Sequence, residues 1–110
     1  MLWKRILSAA TVEEMTKPRC LTNAQGEKSC RGYGFDVDSK YSGGPRGKRF
    51  AKGTTFGHTG YTGTSLWIDP VNDCFVVLLT NRVHPDDDAD IKALRKRVAT
   101  IVAEAFLGPL

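Results

Sequence analysis

The chain has 110 residues, 41% of them hydrophobic and 25% charged, and carries 16 Lys/Arg against 12 Asp/Glu for a net charge of +4. That length suits one small soluble domain or a piece of a larger one, and only about 60–65% of the unfolded surface is buried at this size, so the core is thin. No apolar run approaches the roughly 18 residues that cross a bilayer, and residues 1–7 hold charge without the extended apolar stretch of a signal peptide, so neither a span nor a leader is expected within the chain.

Residues 8–17 predict a short helix, capped by Ser8 or Thr11, with Thr11-Val12-Glu13-Glu14 fitting a capping box and Pro18 as the stop. Val12 and Met15, with Ile6 and Leu7 upstream, give it an apolar side. Residues 20–31 are polar and turn-rich and read as a loop. A Cys20–Cys30 disulfide across that loop is conceivable only in an oxidising compartment. The third cysteine, Cys74, opens an apolar run and reads as a reduced core residue. No C-x-x-C pair occurs, and His58 and His84 have no ligand-like spacing, so neither zinc nor another cofactor is expected.

In residues 32–37, Tyr33, Phe35 and Val37 alternate with small or polar residues, which predicts a half-buried strand. Residues 38–54 form a basic, glycine-rich loop, read as a mobile connection longer than a tight hairpin needs. They hold much of the charge excess: residues 1–56 have 11 Lys/Arg against 5 Asp/Glu, whereas 57–110 have 5 against 7. Arg46, Lys48, Arg49 and Lys52 could form a nucleic-acid patch. No aromatic platform is interleaved with them, which favours a solvated loop over nucleic acid.

Residues 55–58 predict a strand ending at a Gly60 turn, residues 64–69 a second, and Asp69-Pro70-Val71-Asn72-Asp73 a turn. The run 74–81 is almost continuously apolar and is expected to lie centrally in the sheet, covered on both faces. Residues 87–106 predict a long helix. Asp86, Asp87 and Asp88 complement its positive end, and Ile91, Leu94, Val98, Ile101, Val102, Ala105 and Phe106 recur on one face. Gly108 and Pro109 close it. The expected class is therefore α+β: a short helix, a small antiparallel β-meander and a long C-terminal helix packed on one face, without internal repeats.

The most informative stretch is Phe56-Gly57-His58-Thr59-Gly60-Tyr61-Thr62-Gly63-Thr64. Its three glycines mean that the backbone bends sharply or that something approaches it closely. His58 offers a titratable ring and Thr59 a hydroxyl, and N–H groups around Gly60 and Tyr61 at an open sheet edge suit an anion or a developing oxyanion. A tight hairpin with an ordinary surface histidine is the alternative.

This stretch, with Asp69-Pro70 and Val76-Val77-Leu78-Leu79-Thr80-Asn81-Arg82, resembles the C-terminal part of serine β-lactamase-like proteins, a group that includes class C β-lactamases, D-alanyl-D-alanine carboxypeptidases and related esterases. The upstream helix, the Gly32-Tyr33-Gly34-Phe35 strand and the terminal helix follow in the family's order. The resemblance covers nearly all of this chain but the last third or less of a full family enzyme. It implies that 1–110 is the C-terminal segment of a β-lactamase/transpeptidase-like domain. His58-Thr59-Gly60 matches the family's third active-site motif, Lys-Thr-Gly or His-Thr-Gly. The resemblance implies that His58 sits beside the substrate, that Thr59 orients its carboxylate or carbonyl, that Gly60 lets it lie against the strand, and that Tyr61 N–H is an oxyanion donor. With His58 in place of lysine, β-lactam, peptidoglycan-peptide and ester substrates all stay open, efficient β-lactam hydrolysis being the least favoured because a neutral imidazole is a poorer carboxylate anchor than an ammonium near neutral pH.

The nucleophile motif Ser-x-x-Lys is absent: Ser8, Ser29, Ser39, Ser42 and Ser65 are followed at three residues by Thr11, Gly32, Ser42, Pro45 and Ile68. Tyr-x-Asn is absent too, because Tyr33, Tyr41 and Tyr61 lead to Phe35, Gly43 and Gly63. Gly63-Thr64-Ser65-Leu66-Trp67 fails G-x-S-x-G, and Gly43-Gly44-Pro45-Arg46-Gly47-Lys48-Arg49 fails the P-loop pattern. The isolated chain is therefore expected to be inactive, as the tail of a hydrolase from a truncated gene, a frameshift or a late start. Alternatively it is a non-catalytic partner of a separate N-terminal chain, or a peptidoglycan-binding remnant. The compartment is left open, because an export signal of the full family member would precede this segment.

Overall fold

Ser8 sets the start of the first helix, α1 (Ala9–Thr16), by accepting the Thr11 N–H on its side-chain oxygen at 3.1 Å. This is seen in a computed structural model that describes residues 4–109; Met1, Leu2 and Trp3, which open the charged N-terminal stretch, and Leu110 lie outside the described residues. Thr11 sits inside the helix with its hydroxyl on Ser8 Oγ at 2.8 Å, so the expected Thr11 capping box does not form. No α1 residue is buried, and Ile6 is 94% exposed. The expected apolar side is thus only partly covered, with Val12 exposed and Met15 half-buried, and a backbone bond from Tyr33 N–H to Met15 O at 2.8 Å holds the helix end.

The polar stretch expected to be a loop is a hairpin of β1 (Arg19–Thr22) and β2 (Lys28–Arg31). Cys20 stands directly opposite Cys30, and a disulfide joins them. Asn23 builds the turn, its Oδ1 accepting the N–H groups of Gln25 and Glu27. Only Cys30 of these two strands is buried, so the hairpin buries too little to imprint an alternating pattern. Reducing the bridge frees a loop with a sequence separation of 10. Such closure is worth about 2.5–3 kcal/mol in the chain-entropy account, so dithiothreitol or Cys30→Ser should lower the urea midpoint accordingly. An unchanged midpoint would show that the hairpin frays independently of the core.

Strand β3 (Asp36–Asp38) starts later than the alternation suggests, since Gly32 N–H bonds Phe35 O at 2.9 Å in a turn. Tyr33 is consequently exposed, with the Arg19 guanidinium 4.0 Å over its ring, while Val37 is buried. Then come β4 (Phe56–Thr59), β5 (Ser65–Asp69) and β6 (Cys74–Leu78). All six strands pair antiparallel in chain order, which makes the expected meander.

The last strand corrects an expectation. β6 is the edge of the described sheet, not its centre. Cys74 and Val76 point into the core, whereas Phe75 (66% exposed), Val77 and Leu79 form an open apolar face. Continuous apolar sequence records that both faces favour burial; it does not supply the cover. Cys74 is a free, buried thiol, as expected of a core residue, and its burial, then Asp69 and Asp73, push its pKa up.

Helix α2 (Lys92–Leu107) packs on the sheet and ends at Gly108, as expected. It starts five residues late: Asp86, Asp87 and Asp88 lie in the preceding turns, and Asp90 Oδ1 accepts the Lys92 N–H at 2.9 Å. Its buried stripe is Arg95, Ala99 and Ala103, flanked by Val98, Val102 and Leu107. Leu94, Ile101, Ala105 and Phe106, expected on the packed face, are exposed. Small residues let the helix lie close to the sheet, and the core is Phe50, Trp67, Cys74, Val76, Ala99 and Ala103.

The basic segment 38–54 is irregular but not a solvated connection. Arg46 is 2% exposed, donates to Val37 O at 2.9 Å and pairs with Asp38 at 3.7 Å. Arg49 donates to Leu107 O and Gly108 O, Lys48 N–H to Thr100 Oγ1, and Phe50 enters the core. The segment fastens β3 to α2. Its arginines serve the fold, and a buried Arg46 is withdrawn from any phosphate backbone.

Candidate active-site wall

Strand β4 carries His58 and Thr59 between Gly57 and Gly60. On one side it pairs with β5 throughout, His58 opposite Leu66 and Thr59 opposite Ser65. On the other, β3 meets it at Asp36–Gly57 alone, so from His58 onward that edge is open among the described residues. The expectation of an edge strand is met locally, although β4 as a whole lies inside the sheet.

Gly57 is where the sheet demands glycine. A Cβ there would meet Leu66 O at 1.9 Å and Trp67 Cε3 at 2.8 Å, because the indole lies over the strand. Gly63, at φ 128, closes the following turn, where a Cβ would meet Thr80 O at 2.4 Å. Thr80 Oγ1 also donates to Gly63 O at 2.5 Å.

His58 and Thr59 project to opposite faces, as successive strand residues must. Exposed His58 lies on the outer face with Leu66 and Val77, and its Nδ1 is 2.8 Å from Thr59 O. Half-buried Thr59 faces the α2 side with Ser65. Gly60 N–H is taken up by Thr64 O at 2.8 Å. Tyr61 N–H has no acceptor among the described residues, the condition an oxyanion donor needs. The Tyr61 ring is exposed and lies 4.8 Å beneath the Arg82 guanidinium.

Of the residues that hold this turn, Thr80 and Arg82 lie in the 76–82 stretch that carries the resemblance, whereas Arg95 carries no motif signal. Arg95, 9% exposed, donates through Nη2 to Gly60 O at 2.6 Å and Thr64 O at 2.9 Å. Burial, then the neighbouring Arg82, push its pKa down, with Asp90 opposing. Arg82 donates to Tyr61 O and Ala89 O and pairs with Asp87, which also accepts the Tyr61 hydroxyl. Arg95 was legible only as one charge of a helix; its role depends on α2 crossing the 60–64 turn.

A cleft of about 410 Å³ opens beside Thr59, between Lys40 and Tyr41 on one side and Lys92 and Arg95 on the other. A hydroxyl among cations suits a carboxylate. No group of three or more His, Cys, Asp or Glu able to hold a metal occurs among the described residues, nor does a helix long and apolar enough to cross a membrane.

Comparison with known proteins matches residues 3–100 to the family described as Beta-lactamase. Among curated proteins, a "Putative D-alanyl-D-alanine carboxypeptidase" of Escherichia coli O157:H7 is 35% identical over 80 residues, 73% of this chain and 17% of the relative. A protein of the same name from Escherichia coli K12 is 36% identical over 66 residues, covering 60% of this chain and 15% of its own length. One from Salmonella paratyphi B is 41% identical over 63 residues, 57% and 15% respectively. The chain thus spans less than a fifth of these relatives. No solved structure matches it.

Proposed function

Because the chain belongs to the Beta-lactamase family, a family of serine hydrolases, we propose that it forms the substrate-binding wall of an acyl-transfer site for peptides ending in D-alanyl-D-alanine. The observation that carries this reading is the His58-Thr59-Gly60 sequence on a strand whose edge is open beside a cation-lined cleft. Thr59 Oγ and the cleft cations hold the substrate carboxylate. The scissile carbonyl lies along the open edge, where Tyr61 N–H donates to the oxygen as it gains charge. His58, on the other face of the strand, borders the nucleophile. The preference for peptide over β-lactam or ester is supported by the names of the relatives.

The attacking serine and its base come from polypeptide outside these 110 residues, since no serine here has lysine three residues on. The open apolar face of Phe75, Val77 and Leu79, continuous with Leu66 next to His58, is where that polypeptide packs. The purified chain should therefore neither hydrolyse a chromogenic β-lactam, nor release D-alanine, nor gain an acyl group in intact-mass spectra. It should bind the peptide weakly, with amide shifts at 58–61. Adding the Ser-x-x-Lys region of a relative should start D-alanine release, and His58→Ala should reduce it by about 10²–10³-fold. Turnover by the chain alone would overturn this reading.

A further inference from the structure

Of the polar groups of Tyr61, only the N–H is free among the described residues. The carbonyl accepts from Arg82 Nη1 at 3.3 Å, and the hydroxyl donates to Asp87. We propose that Arg95 and Arg82 are positioning residues for acyl transfer: they hold the two peptide planes that meet at the Tyr61 Cα, and so aim its N–H at the oxygen that gains charge. This rests on the acyl-transfer reading above and adds to it the residues that set the donor's direction.

The Tyr61 N–H shares a rigid, trans peptide plane with the Gly60 carbonyl, so whatever fixes that oxygen fixes the N–H, which points the opposite way. Gly60 O accepts from Arg95 Nη2 at 2.6 Å and from Gly63 N–H at 3.2 Å, which occupies both of its lone pairs. The next plane, which carries Tyr61 O, is held by Arg82 Nη1. With both planes fixed, neither backbone dihedral of Tyr61 is left to turn. A cation on the carbonyl side of an amide also polarises it, which strengthens the N–H as a donor.

Both arginines are themselves fixed. Arg95 rides on α2 and makes a second bond, to Thr64 O at 2.9 Å. Arg82 donates through Nε to Ala89 O at 3.1 Å, pairs through Nη2 with Asp87, and gives its own N–H to Thr62 O at 2.8 Å. Asp87 closes the ring by accepting the Tyr61 hydroxyl. The turn meanwhile has backbone bonds of its own, Gly60 N–H to Thr64 O and Gly63 N–H to Gly60 O. A buried guanidinium whose Nε has no partner among the described residues is a costly addition to them, and what it adds is control of the Gly60 plane.

The test is amide NMR relaxation on the whole isotope-labelled chain, followed by titration with a blocked peptide ending in D-Ala-D-Ala. In the unaltered chain the Tyr61 N–H vector should be as rigid as the strands, with an order parameter of about 0.85 although it has no partner. The peptide should move its amide proton downfield. Arg82→Ala and Arg95→Lys should each lower that order parameter below about 0.6 while β5 keeps its values, a local change that lost stability by itself does not produce. Arg82 lies outside the cleft beside Thr59, so its variant should bind the peptide within about twofold of the unaltered chain yet show a smaller Tyr61 shift. Should Arg95→Lys not fold, Arg82→Ala and the unaltered chain decide. A mobile Tyr61 N–H in the unaltered chain, or an order parameter that either folded variant leaves unchanged, would overturn the proposal; the acyl-transfer reading would stand as long as the peptide still moves Tyr61. A rigid, arginine-dependent N–H that the peptide does not move would overturn that reading, and the positioning role with it.

Discussion

Trp67→Ala should cost about 3–5 kcal/mol, the largest effect of any single substitution in this chain. Trp67 is 1% exposed, the largest fully buried side chain, and it joins β5 to β6 and α2 through Val76, Ala99 and Ala103. Its removal leaves a cavity in a cluster of six buried residues among those described, flanked by the half-buried Val98, Val102 and Leu107. It also uncovers Gly57, over which the indole lies, so the β4 strand loosens with the core. Differential scanning calorimetry should show the transition falling by more than about 10 °C or vanishing. Trp67→Phe should cost clearly less, because the buried indole N–H has no partner among the described residues and its loss forfeits no bond with them. A phenylalanine variant as unstable as the alanine one would mean that the N–H is paired in solution.

Arg95→Met should cost about 2–4 kcal/mol and act on the site as well as on stability. The methionine fills much of the space but removes both Nη2 bonds, leaving Gly60 O with the Gly63 N–H alone and Thr64 O with the Gly60 N–H alone. Burial lowers the Arg95 pKa, yet an arginine stays protonated at any pH where the chain is folded, so the clamp persists across the neutral range. The local signature is faster hydrogen exchange at Gly60 and Gly63, whose N–H bonds close the turn, with core strand amides falling only by the global amount. Arg95→Lys should recover less than half, since one ammonium cannot reproduce the fixed fork. Unchanged exchange at Gly60 in Arg95→Met would show that the turn stands without the helix.

The sheet's outer face gives both effects their context. Phe75, Val77 and Leu79 are open, and so are Leu94, Ile101 and Phe106 on the far side of α2. A chain that leaves this much apolar surface uncovered has little stability to spare, and a loss of a few kcal/mol is a large fraction of what a domain this size holds.

Local physics made much of this protein readable in one dimension. Ser8 and Pro18 bound the first helix, Gly108 ends the second, alternation marks 65–69, and the Asp69–Asp73 turn falls where its composition puts it. The His58-Thr59-Gly60 sequence pointed to the family that residues 3–100 match. These are short-range signals, written within a few residues of where they act. Tertiary structure decided the rest. The β1–β2 hairpin depends on a cross-strand pair of cysteines rather than on burial, and so left no pattern. The apolarity of 74–78 told what the strand would shed from water but not whether any neighbour lay on either side, and the fold put it at an edge. Most of all, the charges of Arg46 and Arg49 read as parts of a solvated loop, and Arg95 as one more charge of the last helix. Each is instead aimed at backbone carbonyls of other segments, Val37 nine residues away for Arg46 and the distant Leu107 and Gly60 for Arg49 and Arg95. A guanidinium buries only where such acceptors converge, and that convergence is a property of the folded chain.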